Sequence, residues 1–355
     1  MKTAVVGGGI NGLASAWALA RAGHEVTLFE RDGLMGETSS ASTKLLHGGL
    51  RYLEHGQIRL VYEALRERNW WLRQVPDLTH PLRLVVPVYR TSSRPRWKLK
   101  TGLWLYDRLA GRDRIGSHQW LGPGELTELA PDLDATGLMG GYAFYDGQMD
   151  DYRLGLWVAN QVRGLGGAIH EGEAVARVDT EGGVVTDAGS YRFDAVANVA
   201  GPWAEALNER SGVPCGYHLD LIRGSHLLFE GEPGAGFLLE SPRDGRAFFA
   251  LPYQGRRLVG TTEVRQDLDQ PIACSQAERD YLLEAHNHYF REQRGAGDIV
   301  EAFAGVRPLI RSSEDPTKVS REHKLECRGR LVTVYGGKWT TARRLGEKVA
   351  ERLKA

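Results

Sequence analysis

The sequence predicts an α/β (α+β) fold, with an interrupted parallel α/β domain interleaved with a second, mostly antiparallel β layer. Three observations predict it. Residues 4–6 form a short apolar strand, Gly7-Gly8-Gly9-Ile10-Asn11-Gly12 a glycine-rich turn, 13–22 a helical run and 26–29 a second strand. Glycine turns recur at strand ends much later, at Gly201-Pro202-Trp203 and Gly336-Gly337-Lys338, as if the same sheet were left and re-entered. Between them, from Pro214, the texture changes to closely spaced β-rich pieces. At 355 residues, the chain also exceeds a typical single domain. The boundaries that follow are 1–80, 151–213 and 300–355 for the interrupted domain, and 81–150 with 214–299 for the second.

The opening unit carries the first chemistry. Its G-x-G-x-x-G turn sits between a strand and a helix, and Glu30 closes the second strand. Glycines permit a tight turn and close backbone approach to a pyrophosphate, and a helix N-terminus offers free N–H groups to that anion. Glu30 can accept hydrogen bonds from an adenosine ribose and disfavours a 2′-phosphate there. An adenine dinucleotide is the implied ligand, with nicotinamide and flavin both open at this point. A structural glycine turn is the bland reading, since the chain holds 44 glycines.

Composition narrows the class. Apolar residues make up 42% and charged residues 25%, as in an ordinary globular protein. The 45 basic and 45 acidic side chains cancel, which gives no indication of a nucleic-acid partner. Cys215, Cys274 and Cys327 form no pairable framework and read as reduced thiols. No apolar run approaches the ~18 residues that span a bilayer, and a strand begins within four residues of Met1. A cytoplasmic location is the expectation, with any membrane contact made from the surface.

In order along the chain, the small-polar run 36–43 suits a diphosphate or a flavin edge. Lys44 to Glu54 is dense in basic and aromatic groups around Gly48-Gly49, as an anion-binding turn requires. An amphipathic helix is expected over 57–72 and a strand over 82–89. Residues 90–114 are basic and aromatic. They are either a solvated capping helix or an interfacial helix with Trp97 and Trp104 at headgroup level. Strands follow over 137–149, then a helix over 152–165 capped by Asp150-Asp151, and a hairpin over 173–179 and 184–187. Strands at 194–200, 225–230, 237–239, 247–252, 258–262, 300–303 and 331–335 and helices at 276–290 and 341–353 complete the chain.

Arg51, Arg223, Arg307, Arg321 and Lys338 lie beside glycines or in turns, where guanidinium groups can hold phosphate or carboxylate. His47 and His226 also flank glycines, and a histidine there can act as general base. His286 and His288 face different sides of a helix, so no metal site is expected.

The chain resembles the FAD-dependent glycerol-3-phosphate dehydrogenases. The resemblance rests on the turn 7–12, the run 38–54 with His47-Gly48-Gly49-Leu50-Arg51-Tyr52-Leu53-Glu54, Gly201-Pro202-Trp203, and Ile222-Arg223-Gly224-Ser225-His226. Gly260-Thr261-Thr262, Gly305-Val306-Arg307-Pro308 and Gly336-Gly337-Lys338-Trp339-Thr340-Thr341 continue it, in the family's order. It implies the fold of D-amino-acid-oxidase-like flavoproteins: a Rossmann-type FAD domain interleaved with an antiparallel-sheet substrate domain. The implied reaction is oxidation of sn-glycerol 3-phosphate to dihydroxyacetone phosphate, hydride passing from C2 to flavin N5 and electrons onward to a quinone or another acceptor. A same-fold alternative is an FAD-dependent oxidase of a small amino or 2-hydroxy acid. A rival from another class is a flavin-binding module without turnover.

Carried over position by position, Arg51, Arg307 and Arg321 resemble the substrate clamp, with Tyr52 beside them. His226 resembles the base that takes the hydroxyl proton, and Lys338 a charge near the flavin pyrimidine. The cofactor set implied is Gly7, Gly9, Ile10, Asn11, Gly12, Glu30, Arg31, Ser39, Ser40, Thr43, Lys44, Leu46 and His47. It continues with Val175, Gly201, Trp203, Gly305, Gly337, Lys338, Trp339 and Thr340. Thr43 stands where the family more often has serine, and Trp339 where it more often has leucine. Family members continue into a C-terminal helical domain, whereas this sequence stops at Ala355.

Overall fold

A computed structural model describes residues 1–311 and 323–354. Two sheets dominate it. The first has six strands in the order Lys324–Arg328, Leu331–Tyr335, Ala195–Asn198, Lys2–Val6, Glu25–Glu30 and Ala168–Glu171. Neighbours run parallel except the outermost pair, Lys324–Arg328 with Leu331–Tyr335. Lys2–Val6 is buried at every position after Lys2, which is why its residues 4–6 form a continuous apolar run rather than an alternation. Helix Ile10–Arg21 packs against this sheet and against helices Asp151–Gly164 and Ala342–Leu353. A Cβ on Gly346 would lie 2.3 Å from the Ala14 carbonyl oxygen, so glycine sets how closely the two helices approach.

The second sheet is larger and mostly antiparallel. Its long strands are Thr79–Tyr89, Leu138–Met149, Leu219–Glu230 and Ile299–Ile310. The last corrects the sequence reading. Residues 300–303 were expected to rejoin the α/β texture, yet Ile299–Ile310 pairs antiparallel with Leu219–Glu230 over nearly its full length. The physical reason is its partly exposed, irregular burial pattern, which suits an antiparallel strand with one wet face rather than a buried parallel one. Likewise Leu45–Leu46 pairs with Leu138–Met149, tying the small-polar run into this sheet.

A third, three-stranded sheet holds the expected hairpin, Val175–Val178 with Gly183–Thr186, plus a strand over Ser190–Arg192 that alternation did not reveal. Helix Asp151–Gly164 starts as expected, the Asp150 carboxylate accepting the Arg153 N–H at 3.0 Å. Helix Arg96–Ala110 buries only Leu103 and Tyr106. No helix among the described residues is long and apolar enough to cross a membrane.

Candidate active site

A cavity of about 800 Å³ runs between the two sheets. One end is the opening turn. Gly7 has φ +109°, a conformation that L side chains rarely adopt. A Cβ on Gly12 would sit 1.9 Å from the Gly7 carbonyl oxygen, so the turn closes only on glycine. Glu30 braces the turn from the next strand, accepting the Gly8 N–H at 2.6 Å and the Asp32 N–H at 3.1 Å. A carboxylate has lone pairs left over after two such bonds, and Glu30 still faces the cavity. Helix Ile10–Arg21 has no side-chain cap at Gly9, and Ser39 Oγ accepts the Ile10 N–H at 3.0 Å. Asn11 Oδ1 is buried without a hydrogen-bond partner among the described residues.

These features fit the pyrophosphate and adenosine of a dinucleotide: a glycine turn at a helix N-terminus, a cradle that a Cβ would fill, and an acid for the ribose. Gly12→Ala is therefore expected to lose the cofactor and lower the melting temperature together, read by visible absorbance per chain and by thermal unfolding.

Further along, Arg31 stacks 4.0 Å over the Trp203 ring while pairing with Asp32 and Glu37. Val175 lines the wall, its carbonyl accepting from Arg210 at 2.8 Å. Gly201 joins it there, and Gly305 comes so close to Ala41 that a Cβ would meet that side chain at 2.8 Å. From the C-terminal turn come Gly337, Lys338, Trp339 and Thr340. Trp339 Nε1 donates to the Ser39 carbonyl at 3.0 Å, and the His47 N–H to Thr340 Oγ1 at 3.3 Å, so the two ends of the chain meet here.

Arg51, Tyr52, His226 and Arg307 line the same cavity. Lys338 Nζ lies 3.7 Å over the Tyr52 ring. Arg307 donates to the Thr262 carbonyl at 2.9 Å and pairs with Glu263 at 3.4 Å. His226 is almost fully buried, stacked 4.9 Å on Phe303, with Nε2 2.9 Å from Thr43 Oγ1. Its Nδ1 has no hydrogen-bond partner among the described residues. Burial pushes its pKa down to about 3, and the Lys44 and Arg307 cations push the same way, so the ring is neutral at ordinary pH.

His286 and His323 are held down to about 4, again chiefly by burial. All three bind a proton more readily in the unfolded chain, near pH 6.5, than in the folded one. Stability should therefore be level above that pH and fall as pH drops from 6.5 toward 4. Denaturation midpoints across that window, with His286→Gln flattening the slope, check this.

Four residues expected at the cofactor are placed elsewhere. Lys44 is turned into a buried ion pair with Asp151 at 2.8 Å and donates to the Ser40 carbonyl at 2.6 Å. That pairing also occupies Ser40, while burial raises the Asp151 carboxyl against the pull of Lys44. Leu46 is a core residue in the sheet, and Gly12 acts through backbone closeness rather than by lining the cavity. Arg223 is also spent on structure, forking onto Glu278 and reaching Gln266. Arg321 lies outside the described residues.

Sequence reasoning missed a buried network under the His47-Gly48-Gly49 turn. Asp146, from strand Leu138–Met149, pairs with Arg68 at 2.8 Å and accepts from Tyr106 Oη at 2.7 Å and the Gly48 N–H at 3.3 Å. Burial raises the Asp146 carboxyl and carries the Tyr106 phenol well above its usual value. Nothing local in the sequence signals it, because the partners come from three distant elements.

Dinucleotide cradle, two-sheet architecture and arginines on the cavity wall are those of a flavoprotein oxidoreductase. Residues 2–352 match the family described as "FAD dependent oxidoreductase", and the chain belongs to it. FAD is its cofactor. The chain is 38% identical to a glycerol-3-phosphate dehydrogenase of Pseudomonas aeruginosa, covering 99% of this chain and 71% of that one. It is 36% identical to a D-erythritol 1-phosphate dehydrogenase of Brucella abortus, covering 99% and 73%. Among solved structures it resembles a glycerol-3-phosphate dehydrogenase of Bacillus halodurans complexed with FAD, at TM-score 0.77 and 26% identity. That match covers all of this chain and 65% of the other.

Proposed function

We propose that the protein oxidises sn-glycerol 3-phosphate to dihydroxyacetone phosphate. One observation carries the reading. The cavity lined by the Gly7–Asn11 turn and Glu30 is also lined by a buried neutral histidine, His226, and by Arg51 and Arg307, the last close enough to lower the histidine pKa.

Arg51 and Arg307 hold the phosphate, for which a planar guanidinium fork is well matched. Bound FAD supplies the two-electron acceptor for the hydrogen on C2. As that C–H bond breaks, the hydroxyl on the same carbon becomes a protonated ketone and a very strong acid. A base of depressed pKa suffices for such a proton, and His226 takes it, its ring positioned by the 2.9 Å contact between Nε2 and Thr43 Oγ1 and by stacking on Phe303. The incoming phosphate dianion raises the basicity of the ring by offsetting Arg307. Lys338, over Tyr52, adds positive charge at the end where reduction leaves negative charge.

The electrons pass to a quinone at a membrane surface. Trp97 is 70% and Trp104 49% exposed on helix Arg96–Ala110, amid Lys98, Lys100 and Arg108, and Ile58 and Tyr62 are exposed on helix Ile58–Gln74, which packs against it. That combination suits an anionic headgroup layer.

The test is a panel of reductants under anaerobic conditions: glycerol 3-phosphate, D-erythritol 1-phosphate, glycine and lactate, followed by reoxidation with a short-chain quinone or air. Fast flavin reduction by glycerol 3-phosphate, and reoxidation by quinone ahead of air, is expected. Faster reduction by the carboxylates would replace this reading with the oxidase one. Preference for the four-carbon phosphate would keep the chemistry and change the substrate.

A further inference from the structure

Arg51 stands on a short 3-10 helix, Leu50–His55, entered through Gly49 at φ +78° and left through Gly56 at φ +69°. With three residues per turn, positions i and i+3 eclipse one another. Glu54 therefore lies directly under Arg51, on the same face, and both line a second cavity of about 780 Å³ that adjoins the catalytic one through Leu50, Arg51, Leu238 and Ala247. A carboxylate one turn below an arginine is a natural partner for it. It is also a competitor for the arginine that an anionic substrate needs.

The structure gives Glu54 other partners. Arg94, from the segment between strand Thr79–Tyr89 and helix Arg96–Ala110, forks onto it, Nε to Oε1 at 2.8 Å and Nη2 to Oε2 at 3.0 Å. Lys98 adds a contact at 3.4 Å. Arg94 also pairs with Glu240, which Ser93 holds at 2.6 Å. The Arg94 and Glu54 side chains are 30% and 27% exposed, so the fork is better shielded than an ordinary surface pair. Hydrogen bonding from Arg94 accordingly holds the Glu54 carboxyl below its usual value.

We infer that Arg94 is a positioning residue: by occupying both oxygens of Glu54 it keeps that carboxylate from drawing Arg51 away from the substrate phosphate. The inference rests on Arg51 being part of the phosphate clamp. Without Arg94, Glu54 turns to Arg51 and phosphate affinity falls. With Glu54 also neutralised, that competitor for Arg51 is removed, so affinity returns even though the fork is gone. A purely structural staple predicts the opposite, since the double variant lacks the staple just as the single one does.

The experiment compares wild type, Arg94→Ala, Glu54→Gln and the double variant as flavin-loaded proteins, with melting temperature and flavin content as controls. Binding of inorganic phosphate by calorimetry is read beside KM and kcat for glycerol 3-phosphate. Arg94→Ala should weaken phosphate binding and raise KM about five- to tenfold with kcat nearly unchanged. Glu54→Gln should leave both near wild type, and the double variant should recover to within about twofold of it. A double variant as weak as Arg94→Ala, or an Arg94→Ala protein with unchanged phosphate affinity, overturns the inference. Failure of wild type to be reduced by glycerol 3-phosphate would instead overturn the substrate assignment. The phosphate titration still reads the Arg94 effect in that case.

Discussion

Replacing His226 with alanine should lower kcat for glycerol 3-phosphate by about 100- to 10,000-fold while KM moves little. The side chain lines the cavity, neutral, with one nitrogen 2.9 Å from Thr43 Oγ1 and the other without a partner among the described residues. Its loss removes the proton acceptor without removing the phosphate clamp. Arg307→Ala should do the converse, raising KM strongly, because it deletes a charged fork whose hydrogen bonds to phosphate are worth ~1.5–3 kcal/mol. Steady-state kinetics of the two variants side by side are the check. Comparable KM effects from both would make His226 a substrate contact rather than the base.

The second large effect is on stability. Asp146→Ala leaves the Arg68 guanidinium, 1% exposed, without its carboxylate. Removing one member of a buried pair costs about 3–5 kcal/mol, whereas replacing both members with apolar residues is often neutral. Asp146→Leu with Arg68→Met should therefore unfold at higher denaturant than Asp146→Ala alone. Equilibrium unfolding followed by fluorescence measures this, and a double variant no better than the single would show that the pair is not the unit of stability. Because the Gly48 N–H is also held by Asp146, the single variant should bind substrate poorly even where it remains folded.

How much of this the sequence carried depends on whether a signal was local. The strand–turn–helix–strand unit was legible because period, glycines and Glu30 all lie within one short stretch. The resemblance placed His226, Arg51 and Arg307 in one reaction, and the structure places all three on one cavity. Lys44 shows the limit. A lysine in a glycine-flanked, small-polar run looks like a ligand for phosphate, but Asp151 arrives from a distant helix and takes it. Arg223 fails for the same reason, its partners Glu278 and Gln266 being far along the chain. Arg68, Tyr106 and Asp146 were unreadable because an ionic residue in an amphipathic helix or strand looks solvated until the packing is known. Strand Ile299–Ile310 was assigned to the wrong sheet because parallel and antiparallel strands differ in which faces are covered, a property of neighbours.

The central claim is that this cavity passes hydrogen from glycerol 3-phosphate to a flavin held at Gly7–Asn11 and Gly337–Thr340. Anaerobic mixing of the yellow, flavin-loaded protein with glycerol 3-phosphate tests it in one step. Rapid loss of the visible flavin band with stoichiometric dihydroxyacetone phosphate is the expected result. A band that persists with saturating substrate, in protein with full flavin content, would contradict it.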